Sequence, residues 1–332
     1  MRCGGSFLLV LGTSVSLAMV PTRAAGAVDL TCASSATLEA LVSCIRDHLP
    51  GRGSRRFVAP SFMEMSAWRS VAFAMLRGDC GFALPYSLSP LAQNRRFHDA
   101  ETGRSYCVLM ETADWDGDGI FDRGFGAFIV DASAERELSH QVAHPISDTG
   151  TETQAVTIFK ETRSRTFLLA GAHRDASPGE GGLLGSSASW DAAHNTATMF
   201  HATHMEIMAY YGEKPWWAIQ WHGMAEDTCE RVDVHLSHGV DTPPAAGDKI
   251  LELRAHLLAR EPTWRISVAG SGLCSLDATS NVQGRLLNIA PAGGSFGALA
   301  APLSTRRFVH IEQHAGFRDP DRWVDAVLAT WP

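Results

Sequence analysis

Four places in the chain gather side chains able to do chemistry. His144-Pro-Ile-Ser-Asp148-Thr-Gly-Thr-Glu152 follows an apolar run and sets an imidazole and two carboxylates in one turn. Imidazole nitrogen and carboxylate oxygen are both ligands for a divalent ion such as zinc, and a tight turn lets them face one point. His222, after Trp216-Trp-Ala-Ile-Gln-Trp221, is the third candidate ligand. Three protein ligands leave a coordination position open, as hydrolytic sites require. Glu312 follows Phe308-Val-His-Ile, where a carboxylate is costly unless a cation or donor meets it. Arg174, in Gly171-Ala-His-Arg-Asp175, suits a substrate carboxylate or an oxyanion. His173 and His194 are candidates to orient metal-bound rings from behind. Each has a structural alternative. His144 and His222 can satisfy local backbone, Asp148 and Glu152 can cap a helix, Arg174 can pair with Asp175 or Asp191, and Glu312 with Arg318.

These residues need elements to position them, and periodicity supplies candidates. Helical spacing covers 36–48 and 63–77, and strand alternation covers 104–112 and 125–131. From about 134, strands at 137–143, 166–171, 216–221, 264–268 and 307–312 alternate with helices at 151–162, 191–210 and 247–260. A helical or loop segment spans 277–288, and Gly/Ser-rich and Ala/Gly/Pro-rich loops fall at 177–189 and 290–304. That order predicts an α/β fold, its mostly parallel or mixed sheet covered by helices, preceded by an α+β lobe at 28–133. Ligands of open α/β sheets bind beyond the carboxyl ends of the strands, where His144, Asp148, Arg174, His222 and Glu312 fall.

On these residues the chain resembles the poly-γ-glutamate hydrolases, zinc enzymes of the carboxypeptidase-like fold, and more distantly the N-formylglutamate amidohydrolases. Asp148-Thr-Gly-Thr-Glu152 after a strand-end His is similar to their His…Glu-Pro-Gly-Thr-Ser-Glu turn. His222-Gly223, Asn281-Val-Gln-Gly-Arg285 and Glu312-Gln313 follow in the family's order, so the likeness spans about 140–318. The spacing after His144 is one residue shorter, Asp148 stands for Glu and Pro145 for a glycine, which keeps Glu152 open as an alternative ligand. The resemblance implies a zinc site at His144, Asp148 and His222, with Glu312 acting beside the metal. Asn281 and Arg285 are then candidates for substrate binding, with Arg318 as a further partner for a carboxylate.

Two other motifs compete for attention. Asp114-Trp-Asp116-Gly-Asp118-Gly-Ile-Phe-Asp122 matches much of a calcium loop, but its twelfth position is Phe125 where a bidentate Glu belongs. A hairpin tip is the alternative to structural calcium. Gly293-Gly-Ser295-Phe-Gly297 matches the nucleophile-elbow pattern without the strand and helix that such a turn needs.

Composition bounds the function. Of 332 residues 45% are hydrophobic and 19% charged, a globular profile, and the net charge of −8 argues against nucleic acid or an anionic membrane as the main partner. Residues 1–27 read as a signal peptide: Arg2, an apolar stretch from Phe7 to Val20, then Ala25-Gly26-Ala27. The stretch is short for the roughly twenty residues a bilayer span needs, so no membrane anchor is expected after cleavage. The expected location is secreted or periplasmic. Six cysteines then remain, and local pairing predicts Cys32–Cys44, Cys80–Cys107 and Cys229–Cys274. The expectation is an exported zinc hydrolase at 134–332 that cleaves an amide bond of a small or peptide-like substrate, with an acidic group next to that bond. In it zinc polarises the carbonyl, Glu312 carries the proton and Arg174 anchors the substrate. The alternatives are a non-catalytic secreted binding or structural protein on the same fold, and a serine hydrolase using Ser295.

Overall fold

Short apolar runs separated by amphipathic stretches form a nine-stranded mixed sheet between two helical layers. The computed structural model describes residue 1 and residues 29–177, 190–288 and 304–332. The signal peptide reading, the Gly/Ser-rich loop apart from residue 177, and Ser295 lie outside the described residues. In chain order the strands are β1 (Ala92–His98), β2 (Ser105–Glu111), β3 (Ala127–Val130), β4 (Arg136–Val142), β5 (Ser164–Leu169), β6 (Trp217–Gly223), β7 (Val234–Ser237), β8 (Ile266–Val268) and β9 (Phe308–Gln313). The helices are α1 (Leu38–Asp47), α2 (Phe62–Leu76), α3 (Thr151–Glu161), α4 (Met199–Tyr211), α5 (Lys249–Arg260), α6 (Val282–Leu287) and α7 (Pro320–Thr330).

The sheet runs β1-β2-β3-β5-β4-β6-β9-β7-β8. Its centre, β5-β4-β6-β9, is parallel, and β1 to β3 extend it on one side as antiparallel strands. The strands of segment 28–133 therefore share one sheet with those of 134–332, joined where β3 pairs with β5. Strand side chains alternate between two cores. Val142, Phe167, Ile219, Trp221, Val309 and Ile311 pack toward α1, α3, α5 and α7. Leu168, Ala218 and Phe308 pack toward α2, α4 and α6. Among the described residues no helix is long and apolar enough to cross a membrane.

Three elements are added to those that periodicity singles out: β1, β7 and α7. The helix expected at 191–210 begins only at Met199, because the Thr198 hydroxyl accepts from the backbone N–H of His201. Residues 191–198 instead form turns around Asp191, which accepts from the N–H of Ala193. The three expected disulfides are formed. Cys229–Cys274 joins the loop after β6 to the loop after β8.

At 114–122 the cation is Arg56. Its guanidinium pairs with Asp116, Asp118 and Asp122 at 2.6, 2.7 and 3.2 Å. Asp114 accepts the backbone N–H groups of Gly117, Asp118 and Gly119. Phe125, at the twelfth position, is buried in the core. Carboxylate oxygens of Asp114, Asp116 and Asp122 do lie within 4.8 Å of one another. The groups calcium would draw on are nonetheless engaged, and the described residues lend calcium no support.

Glu111 fixes the far end of this loop. It is fully buried, and its two oxygens accept the backbone N–H groups of Arg123 and Phe125, both at 2.6 Å. Glu111→Ala leaves both donors buried without a partner and should cost about 2–5 kcal/mol in urea unfolding. Glu111→Gln, which keeps one acceptor, should lose less; equal stability of wild type and alanine variant would show that the loop does not depend on this clamp.

Candidate active site

The period of two along a strand decides which side chains reach the site. On β6, Ile219 and Trp221 enter one core, so Gln220 and His222 point to the opposite face. On β9, Val309 and Ile311 do the same, leaving His310 and Glu312 beside them. The parallel register sets His222 against Glu312 and Gln220 against His310, with Gln141 of β4 next to Gln220. A polar patch thus runs across the carboxyl ends of three parallel strands.

His144 joins it from the turn after β4, which closes as the N–H of Asp148 donates to the His144 carbonyl. Gly150 takes the N-cap position of α3 at φ +88°, a backbone conformation glycine adopts without strain. Neither acid caps α3 by the usual side-chain bond, and the Asp148 carboxylate is free to turn inward. Asp148 Oδ2 lies 3.2 Å from His144 Nδ1 and 3.5 Å from His222 Nδ1, and the two Nδ1 atoms are 3.1 Å apart. Glu152 is turned elsewhere: it accepts from Arg46 at 2.9 Å and from the Gly150 N–H at 3.0 Å.

Partners behind the rings settle their tautomers. His144 Nε2 is 2.6 Å from Asp191 Oδ1, and His222 Nε2 is 2.9 Å from Gln220 Oε1. Both partners accept, so both Nε2 atoms carry protons and both Nδ1 lone pairs point at the same place. Zinc bound at about 2.0–2.1 Å separates tetrahedral ligands by about 3.3–3.4 Å, the spacing this trio has. The donor set fits a divalent ion. Without one, positive charge comes from two sources. Arg174 Nη2 donates to Asp148 Oδ1 at 2.7 Å and sits 3.2 Å from His144 Nδ1. Burial opposes a charge on His144, but Asp191 and Asp148 outweigh it and raise its affinity for a proton. Burial, with His144 adjacent, lowers that of His222 despite Asp148. Against burial, the two imidazoles hold the Asp148 carboxyl far below the usual carboxylate range.

Glu312 sits beside the trio with its side chain 12% exposed, 3.4 Å from His310 Nε2. Ligand atoms of His222, His310 and Glu312 all lie within 4.8 Å of one another. Burial and the nearby Asp148 push the Glu312 carboxyl up to about 8. The groups open into a cleft of about 740 Å³ that Arg174, His173, His194, Asn281 and Arg318 also line.

The remaining expected site residues divide. Asn281 lines the cleft but is committed: it caps α6 and donates to Gln220 Oε1 at 2.6 Å, steadying the partner of His222. Arg285 is not among the residues lining the cleft; its Nε donates to the Thr279 carbonyl. Arg318 donates to the carbonyls of Thr149 and Gln313 and lies against Gly223, where a Cβ would sit 2.0 Å from its Nη2. Arg174 pairs with Asp148, not Asp175 or Asp191, and Asp175 pairs with Arg52. His194 bonds Asp191 Oδ2 at 2.9 Å, behind His144. Asp191, Gln220 and His310 are site residues that sequence spacing does not assign. Alternation places Gln220 on the face of His222, and a strand-end imidazole calls for an acceptor behind it; nothing local marks Asp191 as that acceptor.

No family model and no curated protein matches the chain. Among solved structures, a gene product from Agrobacterium tumefaciens is 12% identical, with a TM-score of 0.35 over 58% of this chain and 85% of that one. A metallo-carboxypeptidase from Burkholderia cenocepacia is 14% identical, with a TM-score of 0.29 over 77% of this chain and 66% of that one. Likeness at this level says nothing about chemistry, which the geometry of the cleft has to carry.

Asp191→Asn keeps the shape behind His144 but removes the charge that holds its Nε2 proton. Zinc affinity, measured by competition with a chromophoric chelator, should fall about 10- to 100-fold. Unchanged affinity would mean that His144 needs no such partner.

Proposed function

We propose that the protein is a metal-dependent hydrolase that holds zinc on His144, Asp148 and His222 and cleaves an amide bond beside an acidic group. The observation that carries this is the convergence of two imidazole nitrogens and a carboxylate oxygen within 3.5 Å, at the floor of an open cleft. When bound there, the ion supplies Lewis acidity. The chain supplies the rest. Asp191 and Gln220 hold the two rings with Nδ1 forward. Glu312, raised toward neutrality, suits a group that takes a proton from the attacking water and returns it to the departing amine. Arg318 and Arg174 bring positive charge to the cleft wall and favour a substrate with a carboxylate near the scissile bond. The cleft is of a size for a small or peptide-like molecule. A carboxyl placed beside the ion site, with ligand atoms of His222, His310 and Glu312 within 4.8 Å of one another, favours catalysis over a purely binding role. Export to the periplasm or beyond is part of the proposal, and the three disulfides are compatible with it.

Two variants separate ligand from proton carrier. His222→Ala should lose zinc and hydrolysis together, with zinc read by elemental analysis and hydrolysis on γ-glutamyl and N-acyl amino acid amides. Glu312→Gln should keep about one zinc per chain while turnover falls on the order of 10²-fold or more. A folded, zinc-loaded Glu312→Gln with near-wild-type turnover removes Glu312 from the mechanism; a His222→Ala that keeps its zinc removes the proposed centre.

A further inference from the structure

One wall of the cleft carries a second arrangement that shares only Asp191 with the proposed metal centre. His194 Nδ1 lies 2.9 Å from Asp191 Oδ2, and His194 Nε2 lies 3.0 Å from Ser280 Oγ. Asp191 also serves as an acceptor for the backbone, its Oδ1 taking the N–H of Ala193 at 2.9 Å. A carboxylate only accepts, so Nδ1 of His194 carries the proton and Nε2 is left to accept from the Ser280 hydroxyl. Hydroxyl, imidazole and carboxylate in this order, each within hydrogen-bond reach of the next, is how an activated serine is recognised whatever its place in the sequence.

The backbone holds the line in place from both sides. His194 sits in the Asp191 turn, its N–H donating to the Asp191 carbonyl. Ser280 immediately precedes Asn281, whose side chain is locked as the cap of α6. The two segments are tied by a backbone bond of 2.8 Å from Val282 N–H to the Ala193 carbonyl. Orienting Asp191 does not require the serine. Its Oδ1 already meets His144 and the Ala193 N–H, and its Oδ2 meets His194. A hydroxyl on the far nitrogen of His194 adds nothing to those bonds, but it is placed to give its proton to that ring. Ser280 and His194 both line the cleft, and the His194 side chain is 35% exposed, so a ligand can reach them.

We propose that Ser280 is a nucleophile, activated by His194 and Asp191, that cleaves carboxylic esters through an acyl-enzyme without a metal. His194 Nε2 takes the hydroxyl proton as Oγ bonds to the carbonyl carbon. The adduct collapses by breaking the bond to the alkoxy group, which leaves as an alcohol with that proton. Water then gives a proton to His194 and attacks the acyl carbon; the acyl–Oγ bond breaks, the acid departs and Ser280 recovers its proton. Ester and water become acid and alcohol, with no other reactant. Arg52, Arg174 and Arg318 line the same cleft and give it positive charge that favours an oxyanion. The proposal stands apart from the metal reading and fails separately from it.

The test uses the full chain, zinc-loaded and chelator-treated, with a fluorophosphonate probe and with p-nitrophenyl acetate. One fluorophosphonate adduct per chain should map to Ser280 in both preparations. Ser280→Ala should abolish it while zinc stoichiometry stays at the wild-type value, and His194→Gln should slow it about 10²-fold or more. Hydrolysis of p-nitrophenyl acetate should persist after chelation and disappear in Ser280→Ala. The proposal is overturned by wild-type protein that takes no adduct at Ser280, by labelling that vanishes with the metal, or by wild-type ester hydrolysis in folded Ser280→Ala. Zinc binding without labelling would leave the metal centre standing and reduce Ser280 to a bystander.

Discussion

Two imidazole lone pairs and a carboxylate oxygen cannot share a buried space a few ångströms across unless a positive charge sits among them. His144, His222 and Asp148 create that demand, and much around them answers it. Asp191 and Gln220 keep the protons on the outer nitrogens, so the lone pairs cannot turn away. Arg174 approaches from the loop after β5 and lays one nitrogen against Asp148 and His144. A proton on His144 serves the same need. The centre is built so that a cation is always welcome, and a divalent ion answers it with one particle in place of two partial substitutes.

The fold makes this assembly inexpensive in chain length. Parallel strands β4, β6 and β9 end side by side, so residues distant in sequence arrive at one edge with their faces already matched by register. Gln141, Gln220 and His310 form a polar row beneath the site, where a sheet interior would otherwise be apolar. Gln220 reaches His222, Asn281, Gln141 and Gln283 at once. A core that accepts this many amides trades some apolar burial for fixed ring orientation, which is what a metal centre needs.

The parts legible in the sequence are those set by local pattern. Alternating apolar runs marked β4, β5, β6 and β9, and their ends marked His144, His222 and Glu312. The hidden parts depend on what arrives from elsewhere. β1 reads Ala-Gln-Asn-Arg-Arg-Phe-His, a polar edge strand in which Ala92 and Phe97 alone are buried. β7 has four residues, too few to show a period. Asp191 looks like part of a helix until Thr198 starts α4 later, and only the tertiary fold carries it behind His144. By contrast α7 was open to reading: Asp319 caps it, Pro320 begins it, and Trp323, Ala326 and Val327 share its buried face. The calcium motif shows the opposite failure. Its acids are spaced for an ion, yet Arg56, some sixty residues away, meets three of them.

The Cys229–Cys274 bond ties together two loops that also share a small apolar cluster of Met224, Val232 and Leu276. Thr228 lies next to one cysteine and Ser275 and Leu276 follow the other, and all three line the cleft on the side that leads to Ser280. That wall is thus assembled by oxidation as well as by folding. His222 at the end of β6 and His144 and Asp148 in the turn before α3 are held by the sheet and that turn, whereas the wall carries a covalent tie that needs an electron acceptor to form. With those two thiols reduced, this wall would rest on the apolar packing of Met224, Val232 and Leu276 without its covalent tie.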